Sequence, residues 1–558
     1  MTPRTLSVML TIPFLLAIGG CAAREPEAVG GVSVAVRMDD DALVQALLDE
    51  DLDANRRFNP VQATSRGDRR FDDQWPDVSE AGRAAVRRDA EQRLVRLNGV
   101  DLDALSEENR VNAELLRYEL EQRLAAPQMR LYQVPVTQLG GPQSELPQLP
   151  DSISLSTPEE EEDYITRLET VPAYLQQVAA NLRLGLADGF TPPRIIMGPA
   201  ADQALEAGSD VYRQDPTRHP MYKHFVGRDD ARARRAAAAI RDQVVPAFSR
   251  FGTFLRDVYI PGCRDTIAAA DLPDGITWYD QRLQFFTTLP LTAEEIHQTG
   301  LAEVARIKAE MMEVIARSDF PQRESLSGDE LFAAFVQYLR TEPRFYFTDP
   351  DDLLAAYRVI AKDVDPWMTR LFGTLPRLSY GVREMPPFIA RSSPTAYYYP
   401  GSLQNGIPGY FVANTWRLDQ RPRYDMIPLT LHEAVPGHHH QVALSQELEE
   451  LGLHEWRTGV WYTAFSEGWG LYAESLGLEM GEKGGRGLYE DPYDDFGRLN
   501  FEMWRAMRLV VDTGMHAKGW TRQQAIDFMT TNSALTAQNI EAEVNRYISW
   551  PGQAVAYK

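Results

Sequence analysis

Apolar residues recur three and four positions apart along most of this chain, and that rhythm limits the fold to a largely helical one. Leu43, Leu47 and Leu48 keep the spacing within 41–52, and the segments 81–97, 107–124 and 159–184 repeat it. Thr292-Ala293-Glu294-Glu295 and Thr521-Arg522-Gln523-Gln524 have the form of capping boxes, in which side chain and backbone at a helix start satisfy each other's donors. The first opens a helix that runs to about Arg317. One region breaks the habit. The stretches 396–401 and 409–415 are aromatic, β-branched and bounded by Pro and Gly, which predicts two short strands or a hairpin. The expected fold class is therefore mainly α, a large helical fold with a small β ribbon.

The ends of the chain carry a different signal. Arg4, a short apolar run over 6–18 and the small residues before Cys21 resemble a bacterial lipoprotein signal. Residues 1–20 are expected to be removed, Cys21 to be acylated, and 21–39 to form a tether. About 13 apolar residues are too few to span a bilayer, so the lipid is expected to be the only membrane anchor. Ala22 after the cysteine, where aspartate is absent, points to the outer membrane facing the periplasm. The second cysteine, Cys263, is then left without an intramolecular partner. A net charge of -23 argues against nucleic acid and against anionic lipid as binding partners. Residues 40–558 are long enough for one large catalytic domain or for two intimately joined halves, about 40–270 and 271–558.

The chemistry concentrates in His432-Glu433-Ala434-Val435-Pro436-Gly437-His438-His439-His440-Gln441. In H-E-x-x-H peptidases two histidines four apart share a helix face and bind zinc, and the glutamate between them works on water. Here the fourth position after His432 is Pro436, and the next histidine is His438. In a regular helix residues six apart are separated by about 9 Å of rise and about 240° of rotation, so His432 and His438 could not share one ion. Pro436 and Gly437 forbid a regular helix, and a break there would let His438 stand where an i+4 histidine normally does. His439 and His440 remain second and third choices for that ligand. Glu467 is expected as the third ligand, with Glu474 behind it, on a helix whose Phe465, Trp469, Tyr472 and Leu476 form an apolar stripe. Near the C-terminus, Tyr547 and Tyr557, together with His516, are candidate donors to an oxyanion. Arg546 and Gln553, with Tyr410 and Asn414 of the ribbon, are candidates for holding substrate.

With these residues in place the chain resembles the domain of unknown function 885 family, whose hallmark is similar to His-Glu-x-x-Pro-Gly-His-x-x-Gln. The likeness extends through 172–189, 272–300, Glu467-Gly468-Trp469, 505–516 and 546–553. That family resembles the helical gluzincin metallopeptidases, which include angiotensin-converting enzyme. The resemblance implies a cleft-bearing fold, one Zn²⁺ held by two histidines and a glutamate, Glu433 as base, and Arg546-Tyr547 near the catalytic centre. The expected function is hydrolysis of a peptide by metal-activated water. A metal-dependent hydrolase of non-peptide amides and a non-catalytic peptide-binding lipoprotein are the alternatives.

Overall fold

The computed structural model describes residues 39–558, apart from 391–392, 405 and 449–451. The signal segment 1–20, Cys21 and the tether up to residue 38 lie outside the described residues. The chain is mainly α, with one three-stranded sheet. None of the described helices is long and apolar enough to cross a membrane.

The helical spans follow the apolar spacing, and their ends follow the capping chemistry. The longest, Pro158–Asp188, starts at a capping box between Thr157 and Glu160 and stops at Gly189, whose φ of 69° suits glycine. The boxes at Thr292 and Thr521 open Ala293–Arg317 and Arg522–Asn532. Three helices, Asp40–Phe58, Glu80–Leu97 and Glu107–Met129, form a small unit around Leu47, Leu48, Leu97 and Leu116. Trp456, from far along the chain, plugs into it and donates its indole N–H to Asp51 Oδ2 at 2.8 Å. Asp51 is fully buried but is also held by Arg93 and Arg123, so the charge is paired where water is absent.

The centre of the fold is Pro492–Ala517. Between Asp495 and His516 every residue except Glu502 is buried, as in a helix surrounded on all sides. It packs along Ala293–Arg317, and the main core runs from Val136 to Ala554. One stripe of this helix is polar: Arg505, Arg508, Asp512 and His516 follow each other at spacings of three and four and so share a face. Arg505 and Arg508 reach the candidate site, while Asp512 and His516 are paired with Tyr279, Gly552, Ala269 and Tyr547 further along.

The sheet confirms the ribbon and adds a strand that local pattern did not reveal. Strands β1 (Tyr380–Glu384), β2 (Ala396–Tyr399) and β3 (Gly409–Ala413) lie in the order β1-β3-β2. β2 and β3 pair antiparallel, Ala396 opposite Ala413, while β1 runs parallel to β3. β2 is therefore an edge strand.

Candidate metal centre

The helix Met426–Glu433 ends one residue after His432, and a second helix, His438–Glu447, begins at the next histidine of the motif. Ala434 leaves the helical region (φ -98°, ψ -115°), the Val435–Pro436 peptide is cis, and Gly437 has ψ -131°. The expected break is present. Gly437 lies so close to the end of the first helix that a Cβ would sit 2.0 Å from the His432 carbonyl oxygen, so no other residue fits. Trp469 holds the turn from outside, donating its indole N–H to the Pro436 carbonyl at 2.7 Å.

The break brings His438 back to His432. Their rings stand 4.6 Å apart, nearly perpendicular, and both Nε2 atoms point at one oxygen of Glu467. Glu467 Oε2 lies 3.5 Å from His432 Nε2 and 3.6 Å from His438 Nε2. The edge of a tetrahedron around Zn²⁺ with ligand bonds of 2.0–2.2 Å is about 3.4 Å. The three ligand atoms lie within 4.8 Å of one another, and Glu467 Oε2 is buried without a hydrogen bond. A buried carboxylate oxygen with no donor, facing two imidazole nitrogens, fits a cation at their centre. Burial opposes ionisation of Glu467, but the two histidines outweigh it and hold the carboxyl well below its usual range. Burial likewise opposes a charge on His432, yet Glu467 and Glu474 push it up to about 9.

Behind the ligands the polar stripe supplies support. Glu474 Oε1 takes a bond of 2.8 Å from His432 Nδ1 and one of 2.9 Å from Arg505. The Thr463–Leu476 helix therefore turns its carboxylates inward, and its aromatic stripe corrects the sequence expectation of a buried one: Phe465 is 69% exposed and Tyr472 53%. Gly470 makes room for His432, because a Cβ there would lie 2.6 Å from its ring.

The other two histidines of the motif point elsewhere. His439 stacks on Tyr380 and shares a hydrogen bond of 3.0 Å with the Leu378 carbonyl, and His440 packs on Phe372. Burial pushes both down to about 4.

A cavity of about 750 Å³ opens over the three ligands. Glu433, 8% exposed, is on its wall beside His432. Segment 394–403, containing β2, lines it, as do Ser65, Arg66, Thr458 and Trp461. The deep wall is Arg505, Arg508, Arg546 and Tyr557. Tyr557 Oη donates to Glu467 Oε1 at 2.8 Å and accepts from Arg546 at 3.2 Å, while Arg546 also donates to Gln553 at 3.0 Å.

Other sequence candidates sit apart from the cavity. Tyr547 is 1% exposed, and its hydroxyl accepts from Trp504 at 2.9 Å and Arg508 at 3.0 Å, behind the arginine that lines the wall. His516 is fully buried, accepting from the Ala269 N–H at Nδ1 and facing the Tyr547 carbonyl from Nε2, so it braces the helix Ala537–Ser549. Tyr410 lies on the central strand under Arg383, and the Asn414 amide is spent on the carbonyls of Ala390 and Pro394. Arg505 and Arg508 were not singled out from the sequence as site residues. Two arginines three apart in a helix with apolar neighbours on either side, Trp504, Ala506, Met507 and Leu509, were the available sign, since such charges need buried partners.

Comparison with known proteins places this geometry in a family. None of the curated proteins matches the chain. Two solved structures, each described as a "putative lipoprotein", share its fold. One, from Colwellia psychrerythraea, is 26% identical with a TM-score of 0.80, covering 93% of this chain and 91% of that one. The other, from Shewanella oneidensis, described as of unknown function, is 17% identical with a TM-score of 0.67 over the same shares, a likeness of fold alone. A family model, "Bacterial protein of unknown function (DUF885)", matches residues 60–558, and the chain belongs to that family.

Proposed function

We propose that this chain is a zinc-dependent peptidase, exported and lipid-anchored through Cys21, facing the periplasm from the outer membrane. The observation that carries the reading is the convergence of His432, His438 and Glu467 beneath a cavity, with Glu433 beside them. The signal-like N-terminus supports the location, as does the Colwellia psychrerythraea relative described as a "putative lipoprotein".

Zn²⁺ held by these three side chains would supply an acidified water and a positive charge for the substrate carbonyl. The chain's own residues do the rest. Glu433, fixed at the end of its helix, takes a proton from water and passes it to the leaving amine. Tyr557 Oη, 2.8 Å from Glu467, is a hydroxyl donor beside the developing oxyanion. β2 has one edge unpaired within the sheet and lies along the cavity, so an extended peptide can add to it by main-chain hydrogen bonds. Tyr547 and Glu543 hold the Arg508 guanidinium on the deep wall.

The test is Glu433→Gln in purified protein, assayed on a mixed peptide library with metal content measured in parallel. The expected result is loss of hydrolysis by at least about a hundredfold with zinc retained. Full activity in that variant would overturn the assignment of the base. Cleavage by the wild type of non-peptide amides alone would replace peptidase with amide hydrolase.

A further inference from the structure

The protein as a whole is strongly acidic, yet the deep wall of its cavity is made of arginines. Their counter-charges can be followed one by one. Arg505 is matched by Glu474 at 2.9 Å, and Arg508 by Glu543 at 3.0 Å. Arg546 has only the same Glu543, at 3.6 Å, and it spends its Nη2 on the neutral Gln553 and Tyr557. Glu467 is committed to the two histidines. Of the three guanidiniums, Arg546 is thus the one whose carboxylate partner is longest and shared. A guanidinium paired so loosely on a cavity wall is open to an anion that enters the cavity.

We propose that Arg546, backed by Arg508, receives the C-terminal carboxylate of the substrate, so that the site removes residues from the C-terminal end of a peptide. This rests on the peptidase reading above. The spacing sets the length removed. Tyr557 Oη touches both Glu467 Oε1, at 2.8 Å, and Arg546 Nη2, at 3.2 Å, so these two atoms lie within about 6 Å of each other. An extended chain advances about 3.3–3.6 Å per residue, so the anion belongs to the first or second residue beyond the bond cut. Planar guanidinium and carboxylate pair through two parallel hydrogen bonds, and Nη1 of Arg546 has no closer partner than Glu543. An acidic side chain carries the same carboxylate, and the test separates the two sources.

Binding of three N-blocked tetra-alanine-type peptides to the purified full chain, measured by calorimetry with cleavage of each peptide followed in parallel, tests this. One ends in a free carboxylate, one in an amide, and one in a glutamate amide whose only carboxylate is on the side chain. The free acid is expected to bind about tenfold or more tightly than the plain amide, as a charge-assisted pair would give. Arg546→Gln should abolish that preference, and Arg546→Lys should keep part of it. Equal binding of acid and amide by the wild type would overturn the proposal. If the side-chain acid bound as tightly as the free C-terminus, the C-terminal assignment would fall and the wall would select acidic residues instead. Equal binding accompanied by cleavage of the amide would remove this inference and leave the peptidase intact. Acid-selective binding without cleavage of any peptide would do the reverse.

Discussion

Glu474 Oε1 lies 2.8 Å from His432 Nδ1, across the imidazole from Glu467. This bond holds the ring with Nδ1 as donor and Nε2 towards Glu467 and the cavity, and a metal would take the place of the Nε2 proton. Arg505, 2.9 Å from the same oxygen, fixes the carboxylate in place. Glu474→Gln is therefore expected to lower zinc affinity about 10–100-fold, the usual effect of removing a partner behind a ligand. Competition with a chromophoric chelator measures it, and an unchanged affinity would contradict the role.

Gly470 offers a steric test of the same ring. Its Cα faces His432, and a methyl group would come within 2.6 Å of Cε1. Gly470→Ala should displace the imidazole and cost metal affinity, while the helix, gaining a better helix former, keeps its far-ultraviolet dichroism. Retained affinity would show that the ring has room the structure denies it.

The two C-terminal tyrosines separate by burial. Tyr557 lines the cavity, whereas Tyr547 is sealed behind Arg508. Tyr557→Phe is expected to reduce kcat about 10²-fold with little change in stability. Tyr547→Phe should cost about 1–2 kcal/mol of unfolding free energy, because it strips an acceptor from buried Trp504 and Arg508. Urea melts and steady-state kinetics on both variants decide the matter, and the reverse pattern would exchange their roles.

Acid should weaken the fold through histidines remote from the ligands. Burial pushes His219 and His516 down to about 4. In the unfolded chain each takes up a proton near 6.5 that the folded state refuses, so stability falls as pH drops from about 6.5 towards 4. The loss is on the order of 2 kcal/mol per histidine by pH 5. Urea unfolding at pH 7.5, 6 and 5 follows it, and equal stability at all three would contradict the burial of neutral imidazoles.

Much of this was legible from local pattern. The helices, the two antiparallel strands and the break at Pro436-Gly437 all follow from spacing and backbone chemistry within a few residues. What stayed hidden is long-range. β1 pairs in parallel with a strand 25 or more residues later, and nothing within Tyr380–Glu384 announces its partner. Hydrophobicity predicts the Thr463–Leu476 helix with its aromatic face inward; here the contacts of Glu467 and Glu474 win, and Phe465 and Tyr472 are left outside while Trp469 stays half-buried. His516 and Asn414 had polar side chains in suggestive places, but their hydrogen bonds go to backbone groups from other parts of the chain. Which backbone atoms a polar side chain will meet is a property of the packed fold, not of its neighbours in sequence.

The central claim is that His438, brought back by the break, answers His432 on one metal ion. Metal analysis of protein purified without chelator, comparing the wild type with His438→Ala, His439→Ala and His440→Ala, tests it most directly. The account predicts about one zinc per chain in the wild type and in His440→Ala, and loss of zinc in His438→Ala, with tetrahedral nitrogen and oxygen ligation by X-ray absorption. A wild type that neither retains nor takes up zinc, or a His438→Ala protein that binds it as tightly as the wild type, would contradict it.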